Sequence, residues 1–375
     1  MEVPETKEES CDKVQSYKVP EFISPYPARQ NAVAPRVGPR CQTWFDEQSL
    51  STVFSNPSDW QFILECRVYD LPTWIFVDAE EEELVWICTF FLWLFVLDDM
   101  LEEPEYFFSL EKSASIFVEL NLLIMWTFPD DPSIREVFTK LLMTQQPEQR
   151  SDTIKYVDAK LVEARLQPGT VYDIAKIGPV GIALKDLWVR LISATPTKSA
   201  IRWAVTLLRY ILGNAEETRN RNKKTFPSSA DYVALRRNIS AVEPCYVIVD
   251  FMDKVSEALP SEIFETPAMI ECQDATNDIV SWHNDMWSFK KEFRKGELHN
   301  LVYITSQERG CSFSEAGDLV LEMIYRRLED LVQVFADLEK MTPLEHQQGV
   351  AGYIKASKFW ISGTHQFHRT SKRFT

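Results

Sequence analysis

A chain of 375 residues that is 45% hydrophobic and 12% aromatic carries enough apolar side chain for one large domain or two ordinary ones, which excludes a disordered or fibrous protein. Its formal net charge of −16 argues against a nucleic-acid partner, because that binding rests on Lys and Arg neutralising phosphates, and against an anionic membrane surface. Only 11 residues are Gly, and no G-x-G-x-x-G or G-x-x-x-x-G-K-[ST] occurs, so a phosphate bound here needs something other than a glycine cradle.

Residues 1–40 carry prolines at 4, 20, 25, 27, 35 and 39 without apolar periodicity, and read as an extended or disordered N-terminal arm. From Cys41 onward apolar residues recur three or four apart, strand signals are sparse and no Pro/Ser/Gly linker intervenes. The expectation is one all-α domain over residues 41–375. Seven Cys are scattered without C-x-x-C spacing, and the N-terminus has neither an apolar signal region nor a basic transit character. These features predict a reducing, cytoplasmic setting.

The longest apolar run is Leu84 to Leu97, fourteen residues broken only by Thr89. A membrane span needs about 20, so the run reads as a buried helix. Glu80 to Glu83 sit at its start, where acids suit the helix dipole, and Pro104 stops it. Its last turns carry Asp98, Asp99 and Glu102, acids that oppose the dipole and crowd one region at i,i+3 and i,i+4. Phe91, Leu94 and Phe95 line the same side. Two readings stand: a hard-cation site, most naturally Mg²⁺, or a helix end that simply reaches solvent.

A second polar pattern lies in the helix ending near Gly296. Asn284, Ser288 and Glu292 fall in an 80° sector at 100° per residue, with Lys291 beside them. Asn and Ser are mediocre inside helices, so propensity does not explain them. Asn277, Ser281 and Asp285 have the same spacing, and geometry alone does not choose between the two registers. Arg219 to Lys224 read as a solvated loop, and the five His are scattered with no nucleophile arrangement.

These residues resemble the class I terpene synthases of the fungal sesquiterpene-cyclase type. The family's D-D-x-x-[x]-D/E is matched by Asp98, Asp99 and Glu102, and its N-D-x-x-S-x-x-K-E by Asn284 to Glu292, followed by Gly296 and His299-Asn300. Its Y-x-x-x-R-R resembles Tyr232 to Arg237, and its W-x-x-G-x-x-x-W with a terminal Arg-Tyr resembles Trp360, Gly363, Phe367 and Arg373-Phe374. The resemblance runs from about residue 60 to 375 and selects the Asn284 register. Phe374 replaces the usual Tyr, Phe367 the commoner Trp, and Ala241 a usual helix-break Gly.

The resemblance implies a single-domain helical bundle around a central apolar cavity. It implies ionisation of farnesyl diphosphate and cyclisation to a sesquiterpene hydrocarbon or alcohol, in a monomer or homodimer with no membrane span. Geranyl or geranylgeranyl diphosphate is the alternative substrate. A cluster of three Mg²⁺ is implied, Mn²⁺ being an alternative, with Asp98, Asp99, Glu102, Asn284, Ser288 and Glu292 as ligands. Arg237, Lys291 and Arg373 would grip the diphosphate, with Arg236 reserved for a structural ion pair. Phe91, Phe95, Trp360 and Phe367 would wall the pocket, with Trp287 a further candidate. A chain-elongating prenyltransferase would carry a second Asp-rich motif where this chain has Asn, Ser and Glu. A helical interaction protein would not need all six ligands intact.

Overall fold

The structure is a computed structural model that describes residues 14–107, 109–127, 178–223, 225–249 and 259–374. Among them the regular elements are helices, with no strand, as the all-α reading predicts. The α-helices are, in order, α1 (Ala34–Glu47), α2 (Pro57–Glu65), α3 (Leu71–Ile75), α4 (Glu81–Leu101), α5 (Pro104–Phe107), α6 (Leu110–Thr127) and α7 (Gly178–Ala194). There follow α8 (Thr197–Lys223), α9 (Ser229–Ile239), α10 (Val242–Tyr246), α11 (Pro267–Lys295), α12 (Leu301–Arg309), α13 (Phe313–Met341) and α14 (Gln347–Thr370). The chain forms two compact units, one of Val33–Tyr69 and Glu80–Lys223, the other of Met1–Ala32, Asp70–Ala79 and Lys224–Thr375.

In the first unit α4 packs against α1, α2, α5 and α7. Glu80 and Glu83 close a capping box at its start, satisfying backbone donors the helix cannot satisfy itself. A helix apolar on every side has to be buried. Length and composition alone would let α4 cross a membrane, and 78% of its most apolar window is buried inside the protein. Indoles tie the unit together: Trp86 Nε1 donates to the Leu187 carbonyl at 3.0 Å and Trp93 Nε1 to the Val180 carbonyl at 2.8 Å. Each satisfies the one polar atom of a ring that otherwise packs as hydrocarbon.

The basic stretch from Arg219 is not a solvated loop. It ends α8, where Glu216 and Glu217, about one turn earlier, pair with Arg219 and Arg221. The Arg221 guanidinium also lies 4.2 Å above the Phe107 ring. Lys224 lies outside the described residues.

The second unit is organised on α11, which packs against α9, α10, α12, α13 and α14. Thr266 caps its start with Pro267 at the first helical position, and Gly296 ends it at φ 82°, a left-handed conformation that suits glycine. Gly363 lets α14 approach α3, since a Cβ there would lie 2.6 Å from the Trp74 carbonyl oxygen.

Between Tyr17 and Val33 the described arm has no helix and is anchored to the second unit's core. Tyr17 is fully buried and donates to the Met286 carbonyl at 2.9 Å, and Asn31 donates to the carbonyls of Phe76 and Ala79. Helix also begins at Ala34 rather than Cys41, because Pro35 suits the first turn, where its missing N–H and fixed φ do no harm. The first 13 residues of the arm lie outside the described residues.

Candidate active site

The end of α4 brings Asp98, Asp99 and Glu102 together, with one ligand oxygen from each all within 4.8 Å of one another. The Glu102 N–H donates to the Asp98 carbonyl, so the cluster sits on the final, electronegative turn, which contains no Lys or Arg. Three carboxylates at a helix C-terminus form a hard-oxygen donor set that suits a small divalent cation. In the same unit Phe91 is buried, with its ring edge-to-face on Phe90, and Phe95 is partly exposed.

On α11 both registers take part in hydrogen bonds. Asn277 is spent on the Arg237 carbonyl at 2.9 Å and on the Ser240 hydroxyl at 2.8 Å. The Ser281 hydroxyl turns back to the Asp278 carbonyl at 3.4 Å. Asp285 is fully enclosed: one oxygen accepts from Arg236 Nε at 3.0 Å, the other from the Tyr232 hydroxyl at 2.8 Å and the Leu301 N–H at 3.0 Å. That register is occupied by the fold's own bonds.

The other register is hydrogen-bonded as well, with the Asn284 amide between Arg236 and His368. Asn300, the cap residue of α12, donates to Glu292 Oε2 at 2.8 Å and to the Asp285 carbonyl at 2.9 Å. It lies 3.5 Å from Ser288 Oγ, so one amide holds the side chains at 288 and 292 in place. Burial, and then the neighbouring Asp285 charge, push the Glu292 carboxyl up to about 7. A divalent cation is the ligand that would restore its charge. The amide oxygen of Asn284, the hydroxyl of Ser288 and the carboxylate of Glu292 are hard donors and fit Mg²⁺ chemistry.

Both neighbouring arginines are ion-paired, so an ion pair does not single out Arg236. Arg236 reaches Asn284 Oδ1 at 3.0 Å as well as Asp285. Arg237 makes a two-pronged contact with Asp278, both bonds at 2.7 Å, and a third bond to Asp274 at 2.8 Å. It must exchange these carboxylates to hold a diphosphate, whereas Arg236 already touches a candidate ligand.

On α14 Trp360 is buried, edge-on to Phe76, and Phe367 is buried against Phe374. Arg373 is buried, Lys291 is partly exposed, and Trp287 lies 3.2 Å from His283. The Phe374 ring stands 4.5 Å from that of His368, so the residue that replaces the usual Tyr is seated on an imidazole. His299 is structural: its Nε2 meets the Thr225 carbonyl at 3.2 Å and its ring packs on Phe226. The histidines are less scattered than they read, since His283, His365 and His368 meet at the α11–α14 contact. Their spacing of 82 and 85 positions from His283 leaves no local signal. Burial holds His283 well below the usual imidazole range and pushes His368 down to about 3.

A family model described as terpene synthase family 2, C-terminal metal binding, matches residues 141–330. Alpha-gurjunene synthase of Marchantia polymorpha is 30% identical over 372 residues, covering 96% of this chain and 86% of that protein. A Streptosporangium roseum protein named 4-epi-cubebol synthase, farnesyl diphosphate cyclizing, is 30% identical over 175 residues, covering 46% of this chain and 51% of its own. The solved structure of a single-residue variant of cucumene synthase superposes with a TM-score of 0.72 at 17% identity, over 94% of this chain and all of the other, a likeness that establishes the fold.

Proposed function

Since the chain belongs to the class I terpene synthases, we propose that it ionises farnesyl diphosphate with Mg²⁺ and closes the resulting carbocation into a sesquiterpene hydrocarbon or alcohol, releasing diphosphate. The observation that carries this reading is the pair of hard-oxygen donor sets, one of Asp98, Asp99 and Glu102 and one of Asn284, Ser288 and Glu292. The Streptosporangium relative, named for cyclizing farnesyl diphosphate, supports that substrate.

Breaking the allylic C–O bond sends its electron pair onto the diphosphate. When bound, Mg²⁺ neutralises that developing charge and so lowers the barrier to departure. Asp98 would hold the cation directly, with Asp99 and Glu102 beside it as ligands or their supports. Asn284, Ser288 and Glu292 would form the second ligand set, with Asn300, bonded to Glu292, keeping that carboxylate aimed. Lys291, Arg373 and, once it exchanges Asp278 and Asp274, Arg237 would supply positive charge to the diphosphate, and the arginine fork suits its oxygens. Phe91 and Phe95 in one unit, and Trp360 and Phe367 in the other, are the candidate rings for excluding water that would quench the cation, and a ring face in contact with it would stabilise it by about 0.5–2 kcal/mol.

The test is purified protein with Mg²⁺ and, separately, geranyl, farnesyl and geranylgeranyl diphosphate, with volatiles read by gas chromatography–mass spectrometry. Cyclic products of the farnesyl substrate are expected to predominate. Asp98→Ala and Asn284→Ala are each expected to lose on the order of 10²–10³ in turnover while keeping the helical circular dichroism spectrum. Retained turnover in either variant would refute that ligand assignment.

A further inference from the structure

We propose that His368, held edge to edge with the ring of His283, is a positioning residue that, together with Arg236, fixes which end of the Asn284 amide is presented as a ligand. The inference rests on Asn284 being a metal ligand and goes beyond it, since it assigns a role to an imidazole pair outside the ligand set.

The directions of the hydrogen bonds carry the case. Arg236 Nη2, 3.0 Å from Asn284 Oδ1, can only donate, so the amide oxygen is fixed on the Arg236 side. The amide nitrogen then faces His368 Nε2 at 3.4 Å and donates to it. His368 therefore accepts at Nε2 and carries its proton on Nδ1, which lies 2.7 Å from His283 Nδ1. His283 in turn carries its proton on Nε2, 3.3 Å from His365 Nδ1. The chain of bonds ends on a partly exposed ring.

One contact pulls the other way. The Trp287 indole N–H also points at His283 Nε2, from 3.2 Å, and alone would favour the opposite tautomer. A guanidinium donor makes a bond roughly twice as strong as a neutral one, so the Arg236 end sets the polarity. The rings are held in line to transmit it: His283 and His368 meet edge to edge, their centroids 4.8 Å apart and their planes within 9° of each other. Phe22 stands edge-on to His283, and Phe374 edge-on to His368. Both imidazoles are 2% exposed. Two hydrocarbon side chains would fill this helix contact without polar atoms to satisfy, so their presence calls for a polar task. That task is to keep the amide N–H groups turned toward His368, because an amide presenting N–H to a cation repels it. Asn300 does the matching work at Glu292.

The probe is Mg²⁺ with inorganic pyrophosphate, read as a rise in the thermal midpoint of the full chain. His368→Met keeps bulk and removes the strong acceptor, while His368→Gln restores an acceptor oxygen. The Met variant is expected to need about 10–100-fold more Mg²⁺ for half of the full rise. The Gln variant is expected to stay within about threefold of the original chain, with both metal-free midpoints close to it. An unchanged Mg²⁺ curve in the Met variant, or a Gln variant as impaired as Met, overturns the proposal. Should the Met variant not fold, long-range proton–nitrogen correlation on the ¹⁵N-histidine-labelled original chain decides. A proton on Nδ1 of His368 supports the proposal, and a proton on Nε2 overturns it. A parent chain that shows no rise with Mg²⁺ and pyrophosphate sinks the functional reading itself, an outcome distinct from either result at His368.

Discussion

Glu292 is where ionisation and metal binding meet. Its folded-state pKa of about 7 lies above the ordinary carboxyl value, so the folded chain binds more protons than the unfolded one between about pH 4.5 and 7. The sign follows: stability contributed by this group is full below about 4.5 and is lost as pH rises through 7. Glu292→Gln is permanently neutral and escapes that loss. Without metal, the variant is expected to exceed the original chain by on the order of 1–2 kcal/mol at pH 8 and to match it near pH 5, by urea denaturation. It should also lose turnover. Equal stability at both pH values would contradict the assigned shift. Ala241 offers a second case. It stands where the family usually has Gly, and the backbone adopts φ 58° there, a left-handed conformation that costs a Cβ-bearing residue about 1–2 kcal/mol. Glycine removes that strain and adds about 0.4–1 kcal/mol of unfolded-chain entropy. Ala241→Gly is therefore expected to leave stability unchanged or raise it by up to about 1 kcal/mol, and a loss larger than that would contradict the strain.

At the scale of elements, legibility follows how local the determining contacts are. Helix α4 could be read because its apolar run, its capping acids and Pro104 are adjacent in sequence. The start of α1 could not, since Pro39 inside a helix reads as a breaker while the packing that tolerates it is tertiary. Arg219 and Arg221 read as exposed because their partners and the Phe107 ring become neighbours only once α8 and α5 form. On α11 the spacing offers two registers, and the different bonds made at Asn277, Ser281 and Asp285 and at Asn284 and Glu292 are ones that no periodicity encodes. The α3–α14 contact gives a direct test. Gly363→Ala would place a Cβ 2.6 Å from the Trp74 carbonyl oxygen, so one of the two helices has to move. A loss of about 1–3 kcal/mol in urea denaturation is expected. Unchanged stability would show that the approach is looser than described.

For the molecule as a whole, the net charge of −16 and the scarcity of glycine acquire a chemical sense. On the proposed reading, part of the acid surplus would serve the two donor sets, and magnesium with arginine would take the place of a glycine cradle. The donor sets belong to different compact units, Asp98, Asp99 and Glu102 to one and Asn284, Ser288 and Glu292 to the other. If both serve one ionisation, their effects do not add. The double variant Asp98→Ala with Asn284→Ala is expected to be about as inactive as the worse single variant, as in other catalytic groups that act together. A double variant whose loss equals the product of the two single losses would argue for independent roles.

The most direct measurement is product formation from farnesyl diphosphate by the purified chain, with Mg²⁺ present and then removed by chelation. The account predicts cyclic C15 hydrocarbon or alcohol together with stoichiometric diphosphate, abolished by chelation and restored by added Mg²⁺. No turnover of farnesyl diphosphate with Mg²⁺ present, or turnover that survives chelation, would contradict it.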